Sequence, residues 1–208
     1  LGAHVDDSVA FQVYNNLRED AASIAAVNET KGQVVFAENQ VAETYFYSVS
    51  AGVSSGIKEV WFAKKDRSYL MPCVLLGDSR KTLDLQKEAD FSEFLQDEIK
   101  SYDTNSPWYR WRTTVSEKQL QQFISEKIKS RYEKNQTQIQ TKQKDGTFFS
   151  TGQTELGEIK KVEILKRGKS GVAVMAQITG SKNTLRIYTE YNLRNLFGGE
   201  KLIYLRKD

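Results

Sequence analysis

The alternation of apolar and polar positions is sharpest in the last quarter of the chain. Ile159, Val162 and Ile164 lead into a turn at Arg167-Gly-Lys-Ser-Gly171, and Val172, Val174, Ala176 and Ile178 return with the period of two expected of a half-buried strand. Gly180-Ser-Lys-Asn183 turns the chain again and Thr184 to Thr189 runs back. A helix from Glu190 to Phe197 follows, closed by Gly198-Gly199. Upstream, Ser116-x-x-Gln119 has capping-box spacing and opens a helix bearing Leu120, Phe123, Ile124, Ile128 and Tyr132 on one face. Between these blocks, Glu133 to Glu155 is rich in Gln, Thr and Lys. Ile139 anchors it and Asp145-Gly146 marks a turn before Thr147-Phe-Phe149, which predicts a solvent-exposed hairpin or connector.

The first half is less regular. Residues 1–17 read as a partly extended segment. Glu19 to Lys31 predicts a helix with a small face of Ala22, Ile24, Ala25, Ala26 and Val27, stopped by Gly32. Gln33-Val-Val-Phe36 and Val41 to Ser50 predict a hairpin across Glu38-Asn39. Trp61-Phe62 and Tyr69 to Leu76 are apolar islands before a turn at Gly77-Asp-Ser-Arg80. A helix from Phe91 to Tyr102, capped by Asp90 with Glu93, presents Phe91, Phe94, Leu95, Ile99 and Tyr102 on one face. After Pro107, the alternation of Tyr109, Trp111, Thr113 and Val115 predicts a strand, with Trp111 as a core anchor and Trp108, Arg110 and Arg112 on the other face. These elements define an α+β chain: mixed, mainly antiparallel strands with packed helices, expected as two lobes around a groove, with sub-lobes at 1–115 and 116–208.

Composition narrows the classes. The 208 residues are 39% hydrophobic and 27% charged, which suits a packed core rather than disorder. Net charge is +3, but from Gly157 onward 11 Lys and Arg face 5 Asp and Glu, so the C-terminal part can attract a polyanion. Cys73 is the only cysteine and His4 the only histidine, which excludes an intrachain disulfide and leaves a poor zinc set; no metal and no cofactor are expected. No apolar run approaches a membrane span. Leu1 is not an initiator Met, so the expectation is a mature or trimmed piece of a longer protein.

The candidate chemistry lies in Tyr45-Phe-Tyr-Ser-Val-Ser-Ala-Gly-Val-Ser-Ser-Gly56, which runs on to Glu59-Val-Trp61. Phenols and hydroxyls beside glycines suit a sugar, whose ring faces stack on aromatics while its hydroxyls take hydrogen bonds. A strand with one buried face and a Gly-rich turn accounts for the same residues in purely structural terms. The Gly-Lys-Ser-Gly of the late turn is not a phosphate loop, because the Walker spacing and the following apolar helix are both missing.

This stretch resembles the Tyr-Phe-His-Ser-Thr-Ser-Gly-Gly region of the stage II sporulation protein D family and its amidase-enhancer relatives. Gln12-Val-Tyr14, Ala26-Val-Asn-Glu-Thr-Lys-Gly32, Pro107-Trp-Tyr-Arg-Trp111, Arg167-Gly-Lys-Ser-Gly171 and Tyr191-Asn-Leu-Arg194 resemble further family blocks in the same order. The resemblance implies work on peptidoglycan glycan strands stripped of their peptides, as in lytic transglycosylases of sporulation or wall remodelling. It implies a place outside the cytoplasmic membrane of a Gram-positive-type bacterium, with any membrane attachment through a segment not in this chain.

It also implies glycan binding by Tyr45, Tyr47, Ser48 and Ser50. Tyr47 stands where the family has His, and Ala51 where it has Gly or Cys. Ala10 and Phe11 occupy positions that hold Cys and His in many members, which again predicts no zinc. The family's catalytic Glu lies on a helix that no stretch of these residues matches, so the catalytic residue is left unassigned. Two further readings stay open: a non-catalytic enhancer of a cell-wall amidase, and, less favoured, a nucleic-acid-binding module using Trp108, Arg110 and Arg112. The favoured reading has no nucleic-acid partner.

Overall fold

A computed structural model describes residues 17–61, 65–75, 83–96 and 100–199. His4, Ala10, Phe11, the Gln12-Val-Tyr14 block, Phe62, the turn at 77–80 and Ile99 therefore lie outside the described residues. The chain divides into two compact units, Leu1–Tyr45 and Phe46–Asp208.

In the first unit, helix α1 (Ala21–Glu29) begins where the Asp20 carboxylate accepts from the Ser23 N–H at 2.9 Å. It ends where the Thr30 hydroxyl donates to the Ala26 carbonyl at 2.7 Å. The small apolar face predicted for this helix is not buried, and none of its residues is shielded from solvent. Strands β1 (Phe36–Ala37) and β2 (Gln40–Val41) form the predicted hairpin. Its turn residues Glu38 and Asn39 have φ of 51° and 60°, the pairing that matches strand twist in a two-residue turn. The second strand stops at Val41 rather than Ser50. The last ladder bond is Ala42 N–H to the Val35 carbonyl at 2.8 Å, and the alternating residues beyond it have no neighbouring strand to pair with among the described residues.

The second unit carries a five-stranded antiparallel sheet in the order β4-β3-β7-β6-β5, made of β3 (Ile139–Lys142), β4 (Phe148–Phe149), β5 (Ile159–Arg167), β6 (Ala173–Gly180) and β7 (Thr184–Tyr188). Its register aligns Ile139, Ile187, Ala176 and Ile164 in one row across four strands. On the same face, Ile178 and Leu185 pair across β6 and β7. Ala176, Ile178, Leu185 and Ile187 have no exposed surface, and they pack with Ile124 and Ile128 of the 18-residue helix α4 (Glu117–Lys134) and with Leu193 and Leu196 of α5 (Glu190–Leu196). Each buried Ile or Leu side chain contributes about 1.5–3 kcal/mol by leaving water.

The capping box forms as predicted: the Ser116 hydroxyl accepts from the Gln119 N–H, and the Gln119 amide oxygen accepts from the Ser116 N–H at 3.0 Å. The 133–155 segment forms the expected hairpin, β3 with β4 across Asp145-Gly146, but it is not wholly solvent-exposed, because β3 is an inner strand and Ile139 is buried. Asn192, fully buried, ties α5 to the rest. It donates to the Gln138 side chain at 2.8 Å and to the Tyr188 carbonyl at 2.9 Å, and accepts from Arg131 Nε at 2.8 Å.

Among the described residues the second unit also holds the helices α2 (Ile57–Val60) and α3 (Glu88–Gln96). The latter starts before the predicted Phe91, and Asp90 lies inside it, accepting from the Asp84 N–H at 2.9 Å rather than capping. Tyr102, predicted on its apolar face, lies in a turn and is exposed. The strand expected after Pro107 is absent. Residues 107–110 turn, 111–116 are irregular, and Tyr109 is the buried aromatic while Trp111 stays 43% exposed. Overall the α+β class with mainly antiparallel strands holds. Among the described residues no helix is long and apolar enough to cross a membrane.

Candidate functional site

The run that begins at Tyr45 is largely open to solvent. Tyr45 closes the first unit, and its phenol donates to the Glu43 carboxylate. Phe46, Tyr47 and Ser48 open the second unit and are all exposed, the first two by 81% and 56%. The chain then turns inward: Val49 is half-buried and Ser50 is 7% exposed. Among the described residues no β-ladder holds residues 46–51, and side chains from elsewhere in the second unit engage Ser50 and Ala51.

Two polar anchors supply that hold. The Ser50 N–H and hydroxyl both donate to one oxygen of the Asp103 carboxylate at 2.7 Å, and the Ser50 hydroxyl oxygen accepts from the Gly52 N–H at 3.2 Å. The Ser50 hydroxyl, and after it the Ser50 N–H, hold the Asp103 carboxyl below the usual carboxylate range. Next along the chain, the Ala51 carbonyl accepts from Arg110 Nη1 at 2.9 Å. The Arg110 guanidinium lies over the Tyr109 and Phe94 rings at 4.2 and 4.8 Å and donates to the Phe94 carbonyl at 3.3 Å. Arg110 is thus turned to the protein's own backbone, while its neighbours Trp108 and Arg112 remain exposed.

From Gly52 to Ile57 the chain runs beside residues 70–75. Leu75 N–H donates to the Gly52 carbonyl and Ser54 N–H to the Cys73 carbonyl, each at 2.8 Å, and Ile57 N–H donates to the Leu70 carbonyl at 2.9 Å. A single bridge joins Val53 to Val74. This brings Glu59 of α2 against the β5–β6 turn. The Glu59 carboxylate accepts from the Gly56 N–H at 3.0 Å and from the Ser170 hydroxyl at 2.5 Å, and Ser55 and Ser170 hydroxyls meet at 3.1 Å.

The turn Arg167-Gly-Lys-Ser-Gly171 is explained residue by residue. Arg167 forms a two-point ion pair with Glu88 at 2.6 and 2.8 Å and stacks over Phe91 at 3.8 Å, and that guanidinium holds the Glu88 carboxyl below its ordinary range. At Gly168 a Cβ would stand 2.5 Å from a Glu59 carboxylate oxygen, so any larger residue there would push the Glu59 side chain aside. Gly171 is required twice, by a φ of +86° and by Phe91, 2.6 Å from where a Cβ would be. Ser170 binds Glu59, and Lys169 is exposed. A hairpin turn it is, flanked by strands on both sides.

Of the four residues expected to bind glycan, the structure leaves Tyr47 and Ser48 open as chain neighbours in the second unit and Tyr45 partly open at the end of the first. Ser50 is inward and engaged by Asp103. Asp103, Glu59 and Ser170 were not singled out from sequence as site residues. Ser50 and Asp103 are 53 positions apart and Glu59 and Ser170 are 111 apart, so no local period marks either pair. Among the described residues no three His, Cys, Asp or Glu side chains gather to hold a metal ion. The fold and site define a small α+β protein with a pinned, solvent-facing aromatic and hydroxyl run. No family model, no curated protein and no solved structure matches the chain.

Proposed function

We propose that the protein binds peptidoglycan glycan strands, outside the cytoplasmic membrane, as a relative of the stage II sporulation protein D family. The observation that carries this reading is the exposure of Phe46, Tyr47 and Ser48 immediately before a segment locked by Asp103 and Arg110. Ring faces held open to water on a restrained backbone offer a sugar a stacking surface at low ordering cost, and an adjacent hydroxyl offers a hydrogen bond. The six sequence blocks that resemble the family support the same reading. In a lytic transglycosylase the strand would be cut by a carboxylic acid that protonates the glycosidic oxygen; in an amidase enhancer the same run would only hold the strand.

The test is binding to glycan strands freed of stem peptides. Tyr47→Ala should weaken binding roughly 2- to 10-fold, the range of one aromatic contact of about 0.5–1.5 kcal/mol. Wild-type affinity in a Phe46→Ala/Tyr47→Ala double variant would remove the reading. Release of anhydro-ended glycans, against a rise in amidase turnover without it, separates the enzyme from the enhancer.

A further inference from the structure

A cavity of about 310 Å³ lies beside α2 and the β5–β6 turn, at the small end of ligand pockets, which run about 300–1,000 Å³. Its cations are Lys58, Lys166, Arg167 and Lys169, against the carboxylates of Glu59 and Asp66. Most of these groups already have partners. Lys58 pairs with Asp66 at 2.9 Å, Arg167 is held by Glu88, and Glu59 accepts from Ser170 and Gly56. Lys166 and Lys169 have no carboxylate partner among the described residues, and both are exposed.

Adjacent residues of a regular strand face opposite sides, yet Lys166 and Arg167 both line this cavity. The cause is visible in the ladder, whose register shifts on either side of Lys166, between Ile164 and Lys166 and again between Lys166 and Arg167. Such bulges re-aim side chains and recur beside functional sites. Aliphatic side chains of Ile57, Met71, Pro72 and Val174 also wall the cavity, together with Gln86. Among the described residues the lining holds no aromatic ring on which a nucleobase would stack.

We propose that this cavity binds an anionic sugar, a single pyranose unit bearing a carboxylate or a phosphate. Lys166 and Lys169 pair with the anion, and the aliphatic wall takes the C–H face of the ring. The site is separate from the run at 46–48 and does not depend on the glycan-strand reading.

Calorimetric titration of the whole chain with glucuronate, glucose 6-phosphate, glucose and inorganic phosphate tests it. At least one of the two anionic sugars should bind, more weakly as salt is raised, and the stronger of the two identifies the anion. Glucose should not bind, and phosphate alone should bind at least 10-fold more weakly than the preferred sugar. Lys166→Gln/Lys169→Gln, at two exposed positions, should lower that affinity at least 10-fold with an unchanged melting temperature, whereas Tyr47→Ala should leave it intact. Absence of binding by both anionic sugars, equal binding of glucose, or an unaffected double lysine variant would overturn the proposal. If phosphate alone matched the sugar, the sugar assignment would fall.

Discussion

The sheet-bearing segment 116–199 and the segment 46–115 belong to one unit but are held by different forces. The former hides a continuous apolar row, with Ile139, Ile187, Ala176 and Ile164 side by side and two helices against them. The latter, in its described part, contains two short helices and the Val53–Val74 bridge; it buries scattered apolar residues, Ile57, Leu85, Phe94 and Tyr109, and adds polar links: Ser50 to Asp103, Ala51 to Arg110, Ser54 to Cys73. Apolar burial is non-directional and additive over area, so it makes a cooperative block. Hydrogen bonds to charged groups are directional and local, so they set the path of a loop without making it as stable as the sheet.

The largest effect expected from this contrast is in the sheet. Ile187→Ala removes a side chain with no exposed surface from the centre of the row and should cost about 2–5 kcal/mol of global stability by urea titration. A loss below about 1 kcal/mol would break the comparison. Arg110→Ala should cost less overall, about 1.5–3 kcal/mol, and much of that locally. Hydrogen exchange of the Ser50 and Gly52 amides should quicken at least 10-fold while the β6 and β7 amides keep their protection. Equal acceleration in both places would mean one cooperative block rather than two kinds of hold.

The smallest effect sharpens the contrast through pH. Asp103 has its folded pKa lowered by Ser50, so its contribution is present above the unfolded pKa and is lost as pH falls through the folded one. Glu88, lowered by Arg167, has the same sign. Glu190 has the opposite sign: burial raises its pKa against the pull of Arg194, so ionisation of the unfolded chain above the ordinary carboxylate range costs stability there. The melting temperature should therefore drop on acidification below the ordinary carboxylate range, and Asp103→Asn should flatten that drop. An unchanged acid limb in Asp103→Asn would show that Ser50 and Asp103 do not hold the loop.

The same contrast explains what could be read from the chain. The strands around Ala176 and Leu185 and the helix opening at Ser116 were legible because local period, caps and turns all agree with the final packing. The alternation of Tyr45 to Ser50 and of Tyr109 to Val115 misled, since a period of two produces a strand only where a neighbouring ladder receives it. The alternation puts Trp111 inside as a core anchor on the same face as Tyr109, but only Tyr109 is buried, with Arg110 over its ring. The roles of Asp103, Glu59 and Ser170 depend on partners 53 and 111 positions away, and charge or hydroxyl alone does not announce such a pairing.

The sheet ends in two different margins. One is β4, only two residues long; the other is β5, nine residues long and, among the described residues, paired only to β6. A long free margin is a template on which a second chain could stack. Here it carries Lys160, Lys161 and Lys166 and is bent by three register shifts, and both devices frustrate such stacking. Replacing those lysines with threonine or valine would remove the repulsion and favour fibre growth from that side.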